Sequence, residues 1–198
     1  MSNKPFAESC EQNKQPILQV LKKTFDKSGK VLEVGSGTGQ HAVFFSQQLE
    51  HLQWFPTDIE EALPGIQLWI NESDNERIKA PVALDVNIEI WPFRNMDYAF
   101  TANTAHIVSW SEVKSMFRGV SQSLKSGGIF CQYGPVNYNG QYTSQSNERF
   151  DQWLKNRDPQ SGIRDFEDLV LLAKENNMIL YTDFEMPANN RILAWQKR

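Results

Sequence analysis

The sequence predicts an α/β protein built on a mostly parallel sheet with helices on both faces. Three observations carry that expectation. Apolar strand-like runs alternate with amphipathic helical segments, three glycines at every second position follow the first such run, and a short turn joins the last two runs. With 198 residues, 40% hydrophobic content, 12 Phe and 6 Trp, the chain carries enough apolar surface for a substantial core. It is read as one domain over residues 1–198, with a helical N-terminal cap over 1–29.

The cap helix is expected to take Pro16 in its first turn and to bury Ile17, Leu18, Leu21 and Phe25. The first strand is expected over 30–34, followed by a helix carrying His41, Val43, Phe44, Phe45 and Leu49. A second strand over 53–57 ends at Asp58, a helical segment spans 62–71, and a third strand covers 81–84. The fourth strand, 97–103, precedes a helix whose Val113, Met116, Phe117, Val120 and Leu124 recur at spacings of three and four, closed by Gly127 and Gly128. A fifth strand over 129–133 leads into a polar segment, 134–145, and then two helices. The second of these places Phe166, Leu169, Val170 and Ala173 on one stripe behind an Asp165 cap. Runs at 179–185 and 191–196, joined through Pro187 to Asn190, predict a closing β-hairpin.

Chemistry concentrates in residues 31–40. Gly35, Gly37 and Gly39 lack a Cβ, so the backbone can turn sharply there and approach a ligand, while the following helix offers unpaired N–H groups. A dinucleotide fingerprint needs glycine at the sixth position of G-x-G-x-x-G, and Gln40 stands there. Glu33, two residues before Gly35, suits a cationic or amino-bearing ligand and would repel a pyrophosphate. The pattern E-x-G-x-G-x-G after a strand resembles motif I of the class I S-adenosylmethionine-dependent methyltransferases. The resemblance narrows elsewhere, in A-E-x-x-x-x-N-K-x-P-I-L over 7–18, L-E-V-G-S-G-T-G-Q-H, P-T-D at the end of the second strand, and N-x-x-H-I from Asn103. Together these are similar to the family known as domain of unknown function 938, the methyltransferase-like 26 group, over essentially the whole chain.

That resemblance implies a Rossmann-like, seven-stranded, mostly parallel sheet with a C-terminal antiparallel hairpin. It implies S-adenosylmethionine as cofactor, with S-adenosylhomocysteine as product. Glu33, Gly35, Ser36, Gly37, Thr38 and Gly39 would hold the methionine part, Asp58 the ribose, and Asp85 with the backbone at Val86 the adenine. A helix N-cap is the alternative for Asp58 and a turn the alternative for Asp85. Asn103 occupies the first place of the Asp/Asn-Pro-Pro-Tyr motif of many amino methyltransferases and is assigned to both cofactor and acceptor. The prolines are missing and His106 holds the fourth place, which argues against exocyclic-amine methylation.

His106 is read either as a general base or as a packed structural residue. Tyr133 is a further catalytic candidate. With Tyr138, Tyr142, Asn137 and Asn139 it belongs either to a substrate lid or to a solvated loop. Trp91 and Trp110 read as core or pocket wall, and Asn13 and Lys14 either reach the pocket or cap it as solvated polar groups.

A net charge of −4 with no Lys/Arg block argues against a broad phosphate-binding surface, so nucleic acid is not expected as a partner. The first residues form no apolar leader core and no window approaches a membrane span, which gives a soluble, cytoplasmic expectation. Cys10 and Cys131 read as free thiols, and the three histidines lie at no metal-ligand spacing. The expected function is methyl transfer to a small-molecule acceptor. Two rivals stand beside it: a non-catalytic S-adenosylmethionine-binding interaction module, and an NAD-dependent oxidoreductase. Neither the acceptor nor the oligomeric state is legible.

Overall fold

The computed structural model describes residues 4–198, so the first three residues of the expected cap lie outside the described residues. Strands β1 (Gly29–Val34), β2 (Leu52–Asp58), β3 (Val82–Ala83), β4 (Met96–Ala102), β5 (Leu124–Asn137), β7 (Met178–Met186) and β8 (Asn190–Lys197) form one sheet in the order β3-β2-β1-β4-β5-β8-β7. The two-residue β6 (Arg164–Asp165) pairs with the far end of β5. All pairings are parallel except β5 with β8 and β8 with β7, so the hairpin inserts antiparallel as expected.

Period-2 alternation builds two cores. Val31, Tyr98, Phe100, Ile129, Cys131, Ile192 and Ala194 face one side, beneath α1 (Glu8–Thr24) and α2 (Gln40–Gln48). Leu32, Ala99, Phe130, Leu193 and Trp195 face the other, beneath α4 (Trp110–Ser123) and α6 (Phe166–Glu175). Phe45, Trp54 and Phe100 interlock on the first side with ring centroids 5.4–6.0 Å apart, and Phe117 meets Phe130 and Trp195 at 5.6 and 5.8 Å on the second. Each such fully buried aromatic contributes roughly 2 kcal/mol or more by removal of apolar area from water. Trp91 belongs to this second core and packs over Gly119, where a Cβ would lie 2.1 Å from Trp91 Cε2. Trp110 is half-buried at its edge.

Several elements depart from the sequence expectation. Helix α1 starts at Glu8, so Pro16 lies inside it rather than in its first turn. Proline removes one backbone hydrogen bond there, but Glu8 and Glu11 favour the helix start and the buried Ile17, Leu18, Val20 and Leu21 hold the rest. Gly127 and Gly128 do not end a helix. They lie inside β5, where the pairing register with β4 shifts between Met96 and Tyr98 and Gly127 takes φ +79°. Residues 134–137 are buried strand rather than part of a loop, because β8 pairs with Gly134 and Pro135 and β6 with Val136 and Asn137. Asp165 precedes α6 but makes no side-chain cap. The third strand shortens to two exposed residues. Helix α4 instead carries a capping box, Ser109 with Glu112. Among the described residues no helix is long and apolar enough to cross a membrane.

Candidate functional site

The strand order reverses between β1 and β4, and side chains at the carboxyl ends of the central strands converge there. The loop from β1 to α2 is fixed by its backbone. Gly35, Gly37 and Gly39 adopt φ of 73°, 58° and 89°, a region that side chains with a Cβ enter only with strain. The N–H groups of Gly35 and Ser36 both donate to Thr57 O at 3.0 Å, and Gly39 N–H donates to Ser36 O at 2.9 Å. Gly39 must lack a Cβ for a second reason, since one would lie 3.0 Å from Ile66 Cα in α3 (Leu63–Ser73). Gly37 differs, because no atom lies within 4 Å of its Cβ direction. The loop is packed on one side and open on the other.

Asp58, the last residue of β2, ties this loop to the next strand. Its Oδ2 accepts from Gly37 N–H at 2.7 Å and its Oδ1 from Ile59 N–H at 2.8 Å. It is not a side-chain cap of the 3-10 turn Glu60–Ala62, whose N-cap is Ile59. Burial pushes its pKa above the usual carboxylate value against those two donors. Leu84 N–H donates to Asp58 O at 2.8 Å, which brings the β3 end alongside. There Asp85 is exposed and accepts from Asn87 N–H at 2.8 Å, while Val86 is half-buried and accepts from Trp91 Nε1.

Glu33 shares the face of Val31 and sits beneath the loop, 2% exposed, with Oε2 accepting from Trp54 Nε1 at 2.8 Å. Burial raises its pKa to about 7, with the Asp58 charge adding in the same direction. Ser36 is buried as well, beside the Glu33 carboxyl, whose pKa its hydroxyl lowers against the effect of burial.

Gln40 uses the space that a dinucleotide fingerprint reserves for glycine. Its Oε1 accepts from Ala7 N–H at 2.6 Å and from Thr38 Oγ1 at 3.0 Å, and its Nε2 donates to Glu11 Oε1 at 2.8 Å. These bonds lock the start of α1 over the glycine loop. The chain before α1 crosses α3, with Pro5 O accepting from Trp69 Nε1 at 2.7 Å and Lys4 over the Trp69 ring. Asn13 is buried, accepts from His41 Nε2 at 2.6 Å and lines the adjacent cleft, whereas Lys14 pairs with Glu11 outside it.

That cleft, about 680 Å³, opens beyond β4 and β5. It brings together Asn103, His106 and Tyr133, the three residues expected to face an acceptor. Asn103 holds φ 58°, tolerable for asparagine, and its N–H donates to Tyr133 O at 3.0 Å. His106 is 4% exposed and packs against Gly134, where a Cβ would stand 3.3 Å from Nδ1. Among the described residues nothing hydrogen-bonds to its ring. Burial lowers its pKa to about 4, and the charges of Arg164 and Arg157 push the same way, so the imidazole is neutral at pH 7. Burial raises the Tyr133 phenol. Tyr138 and Tyr142 donate instead to Asp183 and Asp151, each at 2.7 Å, outside the cleft lining.

Sequence reading missed the opposite wall. It consists of Asn147, Phe150, Trp153 and Arg157 from α5 (Gln145–Arg157), with Pro187 and Asn190 from the β7–β8 connection. The only available signal was the i, i+3, i+7 spacing of Phe150, Trp153 and Arg157, which places them on one helix face.

The fold is that of the class I methyltransferases. An S-adenosylmethionine-dependent methyltransferase, SibL, superposes with a TM-score of 0.81 at 18% identity over 96% of this chain and 55% of its own. An O-methyltransferase family 2 protein from Planctomyces limnophilus, in complex with apigenin, gives 0.82 at 14% identity over 96% of this chain and 60% of its own. The mitomycin 7-O-methyltransferase MmcR gives 0.79 at 11% identity over 93% and 54%. The chain thus spans little more than half the length of these structures. A family model described as a protein of unknown function, DUF938, matches residues 4–197, and the chain belongs to that family.

Proposed function

We propose that this protein is an S-adenosylmethionine-dependent methyltransferase acting on a small-molecule acceptor. One observation carries the reading: the glycine loop, held by the Asp58 carboxylate and open at Gly37, packs at Gly35 against Thr104, the residue after Asn103. Asn103 lines the cleft with His106 and Tyr133, although no loop residue lines that cleft itself. The residues fit the cofactor. The free space over Gly37, beside the buried Ser36, suits the amino-acid portion. Asp58 keeps lone pairs for the ribose hydroxyls, and exposed Asp85 with the Val86 backbone suits the adenine. When bound, S-adenosylmethionine supplies a methyl group made electrophilic by its sulfonium sulfur.

The chain's own contribution is orientation and water exclusion. Asn103 and Tyr133 offer polar groups to the acceptor, and the neutral His106 ring offers one donor and one acceptor. The Gln40 clamp disfavours a dinucleotide, because its side chain and α1 fill the close-packing position.

Calorimetry with S-adenosylmethionine, S-adenosylhomocysteine and NADH tests this directly. Micromolar binding of the two sulfur compounds, at least tenfold weaker in Asp58→Ala and absent for NADH, supports the proposal. NADH binding in their place revives the oxidoreductase reading. Cofactor binding without methyl transfer to any member of a broad acceptor panel favours the interaction module.

A further inference from the structure

The cleft is chemically one-sided. Among the described residues that line it, Arg157 is the only charged side chain, and no aspartate or glutamate is present. The neighbouring cations are already occupied: Lys155 pairs with Asp151, and Arg164 donates to the carbonyls of Ala105, Val108 and Gln160. Arg157 has no ion-pair or hydrogen-bond partner among the described residues. Its guanidinium lies 5.2 Å over the Trp153 ring, which orients it at the rim without neutralising it.

Beside this cation stands a flat apolar wall. Phe150 and Trp153 stack with centroids 5.9 Å apart and planes 13° from parallel, and the His106 ring meets Phe150 edge-on at 5.3 Å. His106 is more than nine-tenths buried and unpartnered, and it faces the same space. A planar ring fits against such a wall, and a carboxylate, thiolate or phenolate fits the guanidinium fork.

We propose that the acceptor of this cleft is a planar aromatic molecule that binds as an anion, seated against Phe150 and Trp153 with its charge met by Arg157. The inference rests on the methyltransferase reading and specifies its substrate class. It also gives His106 a positioning role. Its buried ring, edge-on to Phe150, orients the acceptor in the cleft.

The test uses the isosteric pair 2-naphthoate and 2-naphthamide, titrated by calorimetry into the full chain with and without S-adenosylhomocysteine. The naphthoate is expected to bind at least tenfold tighter than the amide. That preference should vanish in Arg157→Ala, survive largely in Arg157→Lys, and weaken with added salt. Trp153→Ala should weaken both probes alike, and S-adenosylhomocysteine affinity should be unchanged in all three variants. Equal or tighter binding of the amide overturns the inference, as does binding of neither probe while S-adenosylhomocysteine binds. Naphthoate preference without any S-adenosylhomocysteine binding keeps the anion-selective cleft and overturns the methyltransferase reading instead.

Discussion

Replacing Glu33 by glutamine should make the protein more stable at alkaline pH while changing little in acid. The carboxyl is buried beneath the glycine loop, and glutamine keeps an oxygen to accept from Trp54 Nε1. Its pKa rises from 4.5 in the unfolded chain to about 7 in the fold. Between those values the folded state retains a proton that the unfolded state has released. Stability therefore falls as pH rises through this window and stays low above it. At 1.36 kcal/mol per unit, the ionised carboxylate costs the fold about 3 kcal/mol at pH 8 and less than about 1 kcal/mol at pH 5. His41 and His106, both lowered to about 4 chiefly by burial, act with the opposite sign, but they are common to both proteins and cancel in the difference. Urea unfolding at pH 5, 6, 7 and 8 should show the variant's advantage growing by roughly 2.5 kcal/mol, a midpoint shift on the order of 1 M. A difference that stays constant across pH would refute the assignment of a buried, proton-holding carboxyl.

The glycine loop gives a paired prediction. Gly39→Ala combines φ 89° with a contact to Ile66 and should cost about 2–3 kcal/mol in thermal unfolding, whereas Gly37→Ala, in open space, should cost only about 1 kcal/mol. Gly37→Ala should nonetheless weaken S-adenosylhomocysteine binding more than tenfold in calorimetry, because its methyl enters the ligand side. Gln40→Ala removes three hydrogen bonds at about 1 kcal/mol each, and hydrogen exchange should accelerate over residues 7–14 while the central strands stay protected. Gly119→Ala drives a Cβ into Trp91 and should destabilise by about 3 kcal/mol, visible as a lowered melting temperature with cofactor affinity retained.

The β1 loop was legible because its determinants are local. Three alternating glycines, an acid before them and an acid after the next strand lie within residues 33–58, and the fold joins them through the Gly37–Asp58 bond. The strand–helix alternation was legible for the same reason. One side of the cleft was legible too, since Asn103, His106 and Tyr133 follow β4 and β5. Its opposite wall was not, because Phe150, Trp153, Arg157 and Asn190 come from distant stretches of chain and meet these residues only after the sheet has formed. Two misreadings share a cause. Pro16 and Gly134-Pro135 carry local breaker signals, and tertiary burial of α1 and the pairing of β5 on both edges override them. The Gln40 clamp lay beyond reach, since nothing in residue 40 alone says that α1 will return to it.

The position of β8 bears on how the protein is made. This strand pairs β5 on one edge and β7 on the other, yet it is synthesised after both. Until it emerges from the ribosome, β5 presents an open edge built around Phe130, Cys131 and Tyr133, the kind of surface that recruits stray strands. The β5 side of the sheet is thus closed only by a strand that follows it at a sequence separation of about sixty residues. Such long-range closure favours slow folding and a dependence on early protection of that edge.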